Sequence, residues 1–229
     1  MRTFSCDIET DGLDPSVVWC IAVHNVDSGQ VITFSGTTLG LFKPWMASEV
    51  DCLVFHNGIG FDVPVLTRLC NIDFSDVQIM DTLVMSQLDE PRREGGHSLA
   101  SWGERLGFDK GDHEDWSKFS EEMLTYCIRD TEITTKLYRH LKLKELSQDA
   151  LELEHATRKH CIQQEVNGWC FDLHGAILLL QDINEDLRNL EDEVHKTFTP
   201  LASWKSKTPV LNRWKKGGGR TAAYAREVE

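Results

Sequence analysis

The sequence has 229 residues, 41% hydrophobic and 27% charged, with a formal net charge of −13 at pH 7; that is enough for one sizeable core, and no apolar run approaches the ~20 residues of a membrane span. Its 7 cysteines are odd in number, scattered and without a C-x-x-C pair, which argues against a zinc site or disulfide framework and for a reducing, cytoplasmic setting. The charge is uneven, with 17 basic against 35 acidic residues over 1–199 and 7 against 2 over 200–229, so overall acidity does not exclude a polyanionic partner.

With no signal-peptide h-region before it, residues 3–6 read as a strand, continued by Asp7-Ile8-Glu9-Thr10 and closed by the turn-forming Asp11-Gly12. The apolar run 17–23 predicts a buried second strand, and Asp27-Ser28-Gly29 a hairpin turn into a third at 31–34. Cys52-Leu53-Val54-Phe55 predicts a fourth, followed by His56-Asn57-Gly58 and a helix with Val63, Val65, Leu66 and Leu69 on its apolar positions. A fifth strand is expected at 77–80, with Asp81-Thr82 capping the next helix. Polar residues 89–96 read as a loop, 98–106 as a short helix stopped by Gly107, and 109–115 as a second loop. Ser120, followed by Glu121 and Glu122, starts a helix whose apolar period lasts to about Leu146.

Two more helices, about 149–166 and 173–198, are split by Asn167-Gly168. Ile177, Leu180, Ile183, Leu187, Leu190 and Val194 recur at helical spacing on the second, a seam for core packing or a partner. Beyond Phe198 that pattern stops. Lys205, Lys207, Arg213, Lys215, Lys216 and Arg220 are interleaved with Trp204, Trp214 and three glycines, which suits a nucleic-acid-contacting arm or a flexible linker. Three strands in hairpin order, then strand and helix alternating, predict an α/β fold. The expectation is a mixed five-stranded sheet flanked by helices, in the order of ribonuclease H-like proteins, with a C-terminal helical extension. The expected domains are 1–146, 147–199 and 200–229.

Three segments of this chain carry chemistry. In a strand, Asp7 and Glu9 at i and i+2 project from one face. Two carboxylates that close repel, and a hard divalent cation such as Mg²⁺ or Mn²⁺ resolves the repulsion. An isolated D-x-E is more often a solvated strand end. Asp62 follows Asn57 and Phe61 at the start of a helix, where an acid is also favoured by the dipole alone. Tyr126 and Asp130 stand one helical turn apart. Together, in this order and these contexts, they are far more specific than any one alone.

These segments resemble the three exonuclease motifs of the DEDD (DnaQ-like) 3′–5′ exonucleases, and Tyr126-x-x-x-Asp130 resembles the DEDDy subclass. Residues 1–200 are similar to the proofreading end of bacteriophage family A DNA polymerases, through Phe55-His56-Asn57-Gly58, Asp81-Thr82-Leu83-Val84 and His97-Ser98-Leu99-Ala100-Ser101-Trp102-Gly103. Gln164-Glu165-Val166-Asn167-Gly168 through Phe171-Asp172 resembles the opening of the polymerase part, whose later motifs are missing from this sequence.

The resemblance implies two divalent ions, Mg²⁺ or Mn²⁺, held by Asp7, Glu9, Asp62 and Asp130, with Asp7 bridging and Tyr126 orienting the attacking water. It implies that Thr10 and Gly12 meet the terminal 3′-OH, Leu13 wedges against the last bases, and His56 and Asn57 line the strand's path. The implied activity removes nucleoside 5′-monophosphates from single-stranded or frayed DNA 3′ ends, alone or beside a polymerase subunit, with no membrane partner. An RNA-trimming exonuclease of the ribonuclease D type and a non-catalytic polymerase-docking scaffold are the alternatives. The other histidines, His24 and His155 among them, show no ligand spacing and read as surface or capping residues.

Overall fold

The computed structural model describes residues 1–108, 111 and 113–198; the basic tail at 200–229 and part of the 109–115 loop lie outside them. Three strands come first: β1 (Thr3–Thr10), β2 (Val18–Asn25) and β3 (Val31–Ser35). A 3₁₀ turn (Gly36–Leu41) runs into α1 (Phe42–Glu49). Then β4 (Cys52–Phe55), α2 (Asp62–Cys70), β5 (Gln78–Asp81) and α3 (Thr82–Asp89) alternate. Helices α4 (Leu99–Arg105), α5 (Glu121–Lys142), α6 (Gln148–Asn167) and α7 (Leu173–Thr197) follow.

The five strands form one mixed sheet in the order β3-β2-β1-β4-β5, the ribonuclease H-like arrangement expected. β1 is the central strand, antiparallel to β2 and parallel to β4. The β2–β3 hairpin turns where the Asn25 side-chain oxygen accepts the N–H groups of Asp27 and Ser28, with Gly29 supplying the left-handed φ of 78°.

The pleat of β1 divides its side chains between two cores. Phe4, Cys6 and Ile8 join Phe34, Phe42, Val65 and Leu66, so α1 and α2 cover that face. Thr3, Ser5, Asp7 and Glu9 look the other way, toward α5. Ser5 Oγ donates to the Thr131 carbonyl at 2.8 Å and lies 2.7 Å from Thr135 Oγ1. Around that contact, Val54 and Met80 pack against Trp102, Ile133, Leu137 and Leu151, drawing α4, α5 and α6 onto the second face. Ile133, Leu137 and Leu141 are fully buried, and each contributes on the order of 2 kcal/mol through apolar burial. α5 therefore lies along the strand that carries the first two carboxylates.

Two elements depart from the sequence expectation. α5 ends at Lys142 rather than near Leu146, because the chain leaves the helix through a turn with Glu145 at a left-handed φ of 52°. The helical stretch 36–49 was not anticipated: it holds two glycines and Pro44, and α1 has eight residues, about two turns, too few to establish a period. Pro44 is tolerated there because it falls in the first turn.

The sheet and α1–α6 make one compact unit, Met1–Gly168, and a second unit begins at Trp169. Taken by itself, α7 is amphipathic, capped by Asp172 accepting from the Gly175 N–H, and its apolar seam from Ile177 to Val194 is about half exposed. No helix among the described residues is long and apolar enough to cross a membrane.

Candidate active site

The site grows from a mismatch in strand length. On one side β1 is paired with β2 along its whole acidic stretch, Asp7 opposite Ala22 and Glu9 opposite Cys20. On the other, pairing with β4 covers only Thr3 to Ser5, and β4 ends at Phe55. The protruding end of β1 thus has no strand beside it there. Asp62, the first residue of α2, comes up beside the gap, close enough for the Ile8 N–H to act on its carboxyl. The second acidic segment is thereby brought to the first.

Glu9, Asp62 and Asp130 are buried, at 6%, 5% and 3% exposure, and Asp7 is half-buried. Burial is the main force pushing the Asp62 carboxyl up to about 7, and the nearby Asp81 and Asp130 carboxylates push the same way. The nearby Ile8 N–H opposes them. Asp130 is thereby within electrostatic reach of Asp62, and α5 completes the acidic cluster.

Among the described residues, ligand atoms of Asp7, Glu9 and Cys127 lie within 4.8 Å of one another. Cys127 sits one residue after Tyr126 on α5. Its thiol, raised well above its ordinary range chiefly by burial, stays protonated and donates to the Asp7 carbonyl at 3.4 Å. It is a poor ligand but a good positioner of Asp7. The remaining donors are carboxylate oxygens, which fit a hard divalent cation.

Tyr126 stands beside Trp116, ring centroids 5.8 Å apart and nearly perpendicular, with His113 next to both. Trp19 of β2 holds this group by donating its indole N–H to the Trp116 carbonyl at 3.0 Å. The loop before α5 therefore walls in the tyrosine, a role its polar sequence did not suggest.

Thr10 is buried and donates to the Gly12 carbonyl at 2.9 Å, closing the turn after β1. Leu13, beyond that turn, is 95% exposed. His56 Nδ1 lies 2.9 Å from Thr82 Oγ1, and Asn57 adopts a left-handed φ of 65°. The residues expected to line a strand are thus split between the turn after β1 and the turn before α2.

Asp81, at the end of β5, organises the second of those turns. It caps α3 as expected, accepting from the Leu83 N–H at 2.9 Å. Its carboxylate also accepts from Asn57 N–H at 2.8 Å and Ile59 N–H at 3.1 Å. One fully buried side chain thereby holds the loop that delivers Asp62. The Asp81 N–H in turn donates to Nε2 of His155 at 2.8 Å. His155 is buried on α6, a correction to its reading as a surface or capping histidine; its distant partner left no local signal.

The raised Asp62 carboxyl gives a prediction for the cation-free protein. Its folded value, about 7, exceeds its ordinary 3.8, so on raising the pH the unfolded chain releases this proton first. The stability it contributes is fullest below about pH 4 and is lost as pH rises toward about 7. In EDTA, wild type should therefore lose Tm relative to Asp62→Asn across that window. Parallel Tm–pH curves for the two proteins would rule the shift out.

A family model described as 3′–5′ exonuclease matches residues 1–145. The DNA-directed DNA polymerases of Escherichia phage T7 and Enterobacteria phage T3 are each 26% identical over a 263-residue alignment, covering 86% and 85% of this chain. This chain spans 37% of the length of each. In fold, it is similar to Brucella melitensis NrnC with bound Mg²⁺, at a TM-score of 0.53 and 19% identity, over 71% of this chain and 83% of that one. The catalytic core of RRP6 from Trypanosoma brucei is similar at a TM-score of 0.52 and 19% identity, over 71% and 47% of the two chains.

Proposed function

This chain belongs to the 3′–5′ exonuclease family, and from that premise we propose that it trims DNA from single-stranded or frayed 3′ ends. The products are nucleoside 5′-monophosphates, and the role is proofreading for a phage-type family A DNA polymerase. One observation carries the reading: Asp7 and Glu9 on the end of the central strand that β4 leaves open, with Asp62 beside the Ile8 between them and Asp130 in electrostatic reach. The polymerase relatives support the DNA substrate and the proofreading role.

Two Mg²⁺ or Mn²⁺ ions held by Asp7, Glu9, Asp62 and Asp130 would neutralise the scissile phosphate and stabilise the attacking and leaving oxygens of an in-line displacement. The rest falls to the protein. Asp7 contributes from a backbone fixed by Cys127, and Asp62 from a helix start delivered by the turn that Asp81 holds. Tyr126 orients the attacking water, and the Trp116 edge limits its movement. The turn at Thr10 and Gly12 receives the terminal 3′-OH. Leu13, exposed beyond it, wedges against the last bases. A mismatched end is unstacked at lower cost than a paired one, so the site edits without reading sequence.

The test is digestion of a 3′-mismatched primer–template, a single DNA strand and the matching RNA, each with Mg²⁺, Mn²⁺ or EDTA. Stepwise 3′ shortening of DNA, fastest at the mismatch and abolished by EDTA, is expected. Faster loss of the RNA would move the assignment to RNA trimming. A folded protein that cleaves nothing would leave only the docking scaffold.

A further inference from the structure

Helix α6 lies beyond the segment matched by the exonuclease family, yet it is tied to the turn before Asp62 in two ways, once through Asp81 and once directly. One is the His155–Asp81 bond described above. The other is Arg158, whose Nη2 donates to the Asn57 side-chain oxygen at 3.3 Å while Nη1 sits 3.5 Å from Glu165. A Cβ on Gly60 would stand 2.9 Å from Asn57 Oδ1 and 3.0 Å from Arg158 Nη2, so a side chain there would have to displace the ends of both.

A guanidinium only donates hydrogen bonds, so it selects the oxygen end of the Asn57 amide. The Asn57 backbone N–H is already committed to Asp81. What Asn57 has left to offer is its amide NH₂, a pair of donors. A nucleic-acid strand presents acceptors along its path, phosphate oxygens and base carbonyls.

We propose that Arg158 is a positioning residue of the exonuclease: it turns Asn57 so that the amide NH₂ donates to the substrate strand, which makes α6 a working part of the site. The inference rests on the reading of this protein as a nuclease acting on strand ends. Arg158 acts through Asn57 rather than on the strand, and that distinction is measurable.

The experiment uses the full chain, a single-stranded DNA oligonucleotide and Mg²⁺, with steady-state kinetics and Tm for Arg158→Ala, Arg158→Lys, Asn57→Ala and the Arg158→Ala/Asn57→Ala double variant. Arg158→Ala should raise KM about tenfold, the loss of one oriented hydrogen bond, with kcat within about twofold of wild type. Arg158→Lys, which retains a donor, should recover part of that KM. The double variant should be no worse than Asn57→Ala alone, since the two act as one unit. Additive KM effects would overturn the proposal in favour of a direct contact between Arg158 and the strand. An unchanged KM, or a fall in kcat that tracks a fall in Tm, would also overturn it. A wild-type protein without cleavage would instead defeat the nuclease reading, so the two failures are distinguishable.

Discussion

Replacing Asp7 by alanine is expected to lower 3′-end cleavage at least about a thousandfold and to leave the protein folded. Asp7 and Glu9 share one face of β1, and their ligand atoms fall in a cluster spanning less than 4.8 Å. Without a cation, that proximity is repulsive. Asp7→Ala removes one of the charges, so its Tm in EDTA should equal or exceed that of wild type. Cation then separates the two proteins. Mg²⁺ at ten times its Kd should stabilise wild type by about 1.4 kcal/mol, and the variant should gain far less. A variant that keeps its Mg²⁺-dependent Tm rise, or cleaves within about tenfold of wild type, would remove Asp7 from the site.

Asp7 and Glu9 were legible in the sequence because the period of a strand is two residues, and spacing alone puts them on one face. Tyr126 and Asp130 were legible for the corresponding helical reason. The five strands were visible as apolar runs between turn residues, and their hairpin-then-alternating order identified the sheet. Contacts that join distant segments were not legible. Asp81 could be read as a helix cap, since that bond is local, but its bonds to Asn57 and Ile59 cross 24 and 22 residues. Arg158 meets Asn57 across 101 residues, and Cys127, which reads as an ordinary core cysteine, meets the Asp7 carbonyl across 120. Each depends on how elements pack, which no local pattern encodes.

Asp81→Ala should be among the most damaging changes outside the acidic cluster, costing about 3 kcal/mol of stability. The N–H groups of Asn57, Ile59 and Leu83 would lose their common acceptor, that of Ile59 buried and the other two partly so, and a buried donor left bare costs on the order of 1–3 kcal/mol. Relief of the repulsion between Asp81 and Asp62 offsets part of that sum. For a unit of this size, the net corresponds to a Tm lower by about 10 °C. Asp81→Asn separates the causes. Asparagine is as good a helix cap as aspartate, and its one oxygen can still serve Asn57 and Leu83, which share Oδ1. Its NH₂ would face the Ile59 N–H, donor against donor, so roughly half the loss should remain. Because the turn at 57–59 leads directly into Asp62, kcat should fall in both variants, further in the alanine. If Asp81→Ala melted within about a degree of wild type, the three-way bond would not be what holds that turn, and the delivery of Asp62 would have to be assigned to α6 alone.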